Sequence, residues 1–161
     1  MDTNYYGLIG YIYLFLFNIG KMLSINKNIN EVIGITLIII ATGLISVYYT
    51  RIIQFSINEM NNKSQLLLRL SYHSFFILFF LHTIFILNSY YYFYLFGLFA
   101  HVILLYNVII KSKTVIGFIS LILFFIFASF KSFNNIKTNW LEFIGQLVLI
   151  IFFSKQINHN L

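Results

Sequence analysis

Residues 66–87 read LLLRLSYHSFFILFFLHTIFIL, and after a short break residues 91–110 read YYFYLFGLFAHVILLYNVII. Neither run alternates apolar with polar residues, and both are greasy on every side. A helix rises ~1.5 Å per residue and a bilayer's hydrocarbon core is ~30 Å thick, so an apolar run of ~18 residues or more reads as a membrane span. A chain of 161 residues folded in water has too little interior to hide several helices of this kind. The break around residues 88–92 is tight, so these two spans are predicted to form an antiparallel hairpin.

Working outward, the same pattern recurs. Spans are predicted over residues 5–20, 32–49, 66–87, 91–110, 114–130 and 140–153, in a single transmembrane domain. The chain is therefore expected to be an all-α integral membrane protein, a polytopic bundle of five to six helices with short loops. The fifth and sixth runs are the shortest. Such lengths need thinning, snorkelling ends or burial among other helices. The sixth has an alternative place in the interface, because Glu142 and Gln146 give it a weak polar stripe.

Charged residues make up 9% of the chain, against the ~25% usual in soluble domains. Most fall at the ends of the apolar runs. Counting them by side gives Arg51, Lys63, Arg69, Lys111, Lys113 and Lys155 against Lys21, Lys27, Lys131 and Lys137. The heavier side, which carries both termini, is expected to face inward. The net charge of +6 comes from scattered lysines with no cluster, which fits membrane flanks and argues against nucleic acid as a partner. The start of the chain lacks a basic region and a small-residue cleavage site, so the first run is expected to be a retained helix.

There is no cysteine, hence no disulfide, thiolate metal site or cysteine nucleophile, and no proline to break a span. Phe and Tyr number 20 and 12 against 8 Gly. Codons for the first pair are AT-rich, so an AT-rich genome is expected. The expected home is a mitochondrial inner membrane, with the gene in the organelle. A low-GC bacterium or a virus acting on host membranes is the alternative.

Ionisable groups inside spans are costly, which makes them functional candidates. Arg69 and His73 lie four apart on one face, as a polar track or with Arg69 snorkelling to the interface. His82 lies on roughly the opposite face. His101 sits near the middle of the fourth span, too deep to snorkel, and is expected to hydrogen-bond another helix. A His82–His101 pair could ligate haem b. Counted from the turn the two lie at unequal depths, so no cofactor is expected. Glu142, with Gln146 one turn on, either begins a helix beside Lys137 or reaches His82 as half of a proton relay. Gly34 and Ala41 give the second span one stripe for close packing. No metal-ligand cluster, phosphate loop or catalytic set is legible, and no catalytic residue is assigned.

With short loops and no polar convergence along the sequence, the expected function is a small non-catalytic subunit of a larger respiratory-type membrane complex. Its expected partners are the lipid bilayer and neighbouring membrane subunits. The alternative is a compact transporter or proton-conducting protein using Arg69, His82, His101 and Glu142.

Overall fold

A computed structural model describes residues 2–24, 28–55, 63–88, 91–110, 115–135 and 139–160. Among these residues six helices follow one another, α1 (Thr3–Leu23), α2 (Ile29–Gln54), α3 (Lys63–His82), α4 (Tyr91–Ile110), α5 (Val115–Asn135) and α6 (Trp140–Asn160). α3 runs on through a π-helical turn, Thr83–Leu87, and stops at Asn88, whose positive φ of 50° ends the helix in the left-handed region. Five of the six helices are long and apolar enough to cross a membrane. The chain is an integral membrane protein of the all-α class.

Polar residues cap the helices where the apolar runs begin. The Asp2 carboxylate accepts from the backbone N–H of Asn4 at 3.2 Å, and Asn28 Oδ1 accepts from Glu31 N–H at 2.9 Å. Asn139 Oδ1 accepts from the N–H groups of Leu141 and Glu142. Each satisfies donors that the first helical turn leaves without a partner. The helices outrun the apolar stretches that define them. Lys21, Arg51, Lys131 and Lys155 lie inside helices rather than in loops. α6 is 21 residues, about 31 Å at the usual helix rise, and the apolar part of α5 is the shorter one, Gly117–Phe133.

Each helix packs on its neighbours in the chain, and α6 packs on α1, so the six form a closed ring. The ring order sets α6 along both α1 and α5, inside the bundle rather than flat on its surface. Closure depends on glycine. A Cβ on Gly10 would lie 2.7 Å from the Leu149 side chain, and one on Gly145 would lie 3.0 Å from Tyr13 Cβ and 3.2 Å from the Gly10 carbonyl oxygen. The backbones of α1 and α6 therefore touch, as small residues permit between membrane helices. Gly34 of α2 plays the same part against the His82 ring, and Ala41 is fully buried.

A ring of six need not fill its own axis, and here the two halves differ. The half nearer the start of α1 and the end of α6 is filled by aromatic rings. Tyr48 meets Tyr49 and Tyr72 with centroids 5.4 Å apart in each case, Tyr49 meets Phe152 edge-on at 5.4 Å, and Tyr11 stacks on Tyr49. The other half is hollow.

Candidate functional site: a vestibule on the ring axis

The hollow is a cavity of about 380 Å³ to which all six helices contribute. Its floor is made by Tyr11, Phe76, His101, Phe124 and Phe153. These residues lie ten to thirteen positions in from the helix ends on the open side, about 15–20 Å by helix rise, near the middle of a bilayer. The walls are apolar and largely aromatic, with Phe79, Phe80 and Phe127 among them. Polar groups gather toward the mouth, where Asn18, Lys21, Glu31, Thr83, Lys131, Glu142 and Gln146 all line the space. A second recess of about 410 Å³ adjoins the mouth between the end of α1 and the start of α6, sharing Phe17, Lys21 and Glu142 with the first.

The centre of the mouth is an ion pair. Lys131 Nζ lies 3.3 Å from Glu142 Oε1 and donates to the Tyr94 hydroxyl at 2.8 Å. Its ammonium also sits over the Tyr94 ring, 5.1 Å from the centroid. Local sequence explains the placement. Phe124, Phe127, Ala128 and Lys131 follow the i, i+3, i+4, i+7 spacing of one helix face, and that face of α5 is the inner one. Glu142 is held by the first turn of α6, where the helix dipole favours a carboxylate. One turn further, Gln146 points to the same space, buried, and its Oε1 has no hydrogen-bond partner.

Thr83, also buried at the cavity wall, leaves Oγ1 without a partner. Thr36, Thr42, Ser46, Thr50, Ser74 and Ser129 donate their hydroxyls to the carbonyl four residues back, at 2.7–2.8 Å. Thr83, the first residue of the π-helical turn, makes no such bond, and it lines the vestibule.

At the floor, His101 has an interhelical partner, as its depth predicts. Its Nδ1 lies 3.1 Å from Nδ1 of His73 on α3, one of the two carrying the proton. Phe76 stacks parallel to the His101 ring at 4.2 Å and Phe124 meets it edge-on at 4.5 Å. Below His73 the polar contacts continue into the aromatic plug. The Tyr72 ring lies 4.1 Å from that of His73, and the Arg69 guanidinium lies near the Tyr72 hydroxyl. Arg69 thus turns toward the tyrosines of the plug.

Of the residues singled out from the sequence, Arg69 and His73 with His101 form this track, and Glu142 with Gln146 forms part of the mouth. His82 joins neither. It is buried against Gly34 with both ring nitrogens unpartnered. The pairing of His82 with His101 considered for haem is not formed, and Glu142 meets Lys131 in place of His82. The proposed contact of Glu142 with Lys137 falls on a residue outside those described. Among the described residues no group of three or more His, Asp or Glu is placed to hold a metal ion. Sequence reasoning missed Lys131, taken as a loop cation, and Tyr94, which it did not single out. The helical spacing of Lys131 from Phe124 and Phe127 was the available signal, but it gains meaning only once the inner face is known.

The His pair should carry a measurable share of the α3–α4 contact. His101→Leu is expected to lower stability by roughly 1 kcal/mol, the scale of interhelical hydrogen bonds in membranes. In the double variant His73→Phe/His101→Leu the two losses should add to less than their sum, because the second change removes a partner already orphaned. Reversible denaturation of the four proteins in mixed micelles measures this, and full additivity would count against the pair.

The class this fold and site define is a six-helix membrane bundle closed around a one-sided vestibule. In comparisons with known protein families, curated proteins and solved structures, no match to this chain is found.

Proposed function

We propose that the chain is a compact membrane transporter whose solute occupies the axial vestibule. The observation that carries this reading is the asymmetry along the ring axis. One half is open and lined from six helices, and the other half is closed by Tyr48, Tyr49, Tyr72 and Phe152. A helix bundle that only packs against neighbours gains nothing from an internal hollow, because unfilled volume forfeits dispersion contacts. The positions of the polar groups agree with this reading. Lys131, Glu142, Gln146 and Thr83 lie at the mouth, and His101, His73, Tyr72 and Arg69 continue through the plug. Passage then requires the plug to open while the mouth closes, with the π-helical turn and the Gly10/Gly145 contact as places where helices can shift.

The expectation of an accessory subunit rested on spans without polar convergence, and the ring brings polar groups together that the sequence keeps apart. An outer surface of apolar side chains, such as Leu78, Phe99, Val102, Ile122 and Ile151, accepts lipid or a neighbouring membrane subunit equally well. For the membrane itself, the abundance of residues with AT-rich codons supports an organellar home, the mitochondrial inner membrane, and on the same ground a low-GC bacterial membrane or a virus-encoded protein of host membranes.

The test uses the absence of cysteine. Tyr72→Cys lies in the closed half. A transporter must expose it at intervals, so a membrane-impermeant thiol reagent applied on the face carrying the termini should label it slowly and completely. A chain that stays unlabelled there, and that migrates on native gels only within a large complex, would support the accessory role and overturn transport.

A further inference from the structure

We infer that the vestibule takes a small zwitterion with a bulky apolar body, the pattern of an α-amino acid with a large apolar side chain. The inference rests on the transport reading for its biological meaning, but its chemistry stands on the cavity alone. Four charged side chains line the space, Lys21 and Lys131 against Glu31 and Glu142, and their formal charges balance. A ligand with net charge would leave one charge uncompensated at membrane depth, which is costly. A zwitterion meets both signs where they already stand side by side. Its carboxylate faces Lys131 and its ammonium faces Glu142.

The unpartnered groups sharpen the choice. Gln146 and Thr83 line the vestibule, and their side-chain oxygens are buried without hydrogen-bond partners. Both oxygens can accept, and Gln146 lies one turn from Glu142 on the same face. The carboxylate of Glu142 and the amide oxygen of Gln146, one turn apart on α6, offer an ammonium two acceptors on one wall, and Thr83 stands across the ring on the π-helical turn that continues α3. An alcohol has one proton to give and would leave one of the two unsatisfied. Beneath them the space is apolar and aromatic, from Phe79, Phe80 and Phe127 down to Phe76 and Phe124. The space, about 380 Å³, has room for an aromatic side chain together with the charged groups that carry it.

The probe is tritiated L-phenylalanine, bound to the purified full chain in detergent and measured by equilibrium dialysis. Phenylacetate, phenethylammonium and phenethyl alcohol present the same ring with only the anion, only the cation, or neither. Saturable binding is expected, with each of the three competing about tenfold or more weakly than unlabelled phenylalanine. Gln146→Leu and Thr83→Val should each weaken binding about tenfold, while the outward-facing Leu147→Ala leaves it unchanged. Should either variant misfold on gel filtration, the competitor order on the natural chain decides by itself. Equal competition by phenethyl alcohol would overturn the zwitterion in favour of a neutral amphiphile, and equal competition by either ion would overturn it in favour of that ion. Absence of any saturable binding would overturn it outright. Tyr72→Cys labelling is read separately, so binding without plug opening defeats transport and leaves the ligand class standing.

Discussion

Gly145→Val is expected to break the contact that closes the ring. The added Cβ would meet Tyr13 Cβ at 3.0 Å and the Gly10 carbonyl oxygen at 3.2 Å, and valine's two methyls reach further still. Neither obstacle is the free end of a flexible side chain. Backbone must therefore move, and α6 must leave α1. Overpacking of this kind costs ~1–3 kcal/mol, and a β-branched residue at a backbone contact belongs at the upper end. Gly20 supplies the control. Nothing lies within 4 Å of a Cβ placed there, so Gly20→Ala should be neutral or slightly stabilising through helix propensity. Denaturant titration in micelles compares the two. Equal tolerance at both positions would mean that α1 and α6 are not in contact.

Glu142→Ala is expected to be the most damaging single change at the mouth. It leaves Lys131 inside the bundle with the Tyr94 hydroxyl and the rings of Tyr94 and Phe93 as its partners. Removing one member of a fully buried pair costs ~3–5 kcal/mol. These side chains are 11% and 17% exposed and border an open vestibule, so about 2 kcal/mol is the expected loss. Adding Lys131→Met should recover most of that stability, because the orphaned charge is gone. Function should separate from folding. The double variant is expected to be well folded and unable to hold solute, since both halves of the recognition pair are missing. Recovery of stability together with recovery of solute binding would exclude the ion pair from the site.

The helices were legible in the sequence because apolar length alone fixes them. The hairpin between α3 and α4 followed from the short break, and the interhelical role of His101 from its depth. What was not legible is direction. Helices that are greasy all round carry little asymmetry to say which face turns inward. The inner faces of α5 and α6 therefore emerge only from the ring, and with them the meeting of Lys131 and Glu142. His73 and His101 lie 28 residues apart, and their contact depends on the rotation of two helices about their own axes. Closure of α6 onto α1 joins the two ends of the fold, which no local pattern encodes, although Gly7, Gly10 and Gly145 stand where it occurs. The π-helical turn at Thr83 has no local signature in a run of Thr, Ile, Phe, Ile and Leu.

The central claim is a water-reachable vestibule on the axis of a closed ring, open on the face away from the termini. Single cysteines along α6 test it most directly. Gln146 and Leu149 line the vestibule, whereas Leu147 and Ile151 face outward, 40% and 44% exposed. A small hydrophilic thiol reagent added on the open face should label Gln146→Cys and Leu149→Cys, and leave Leu147→Cys and Ile151→Cys unlabelled in lipid. The same reagent on the opposite face should label the first two far more slowly. Equal labelling of all four positions, or labelling of the outward pair alone, would contradict the ring and the vestibule together.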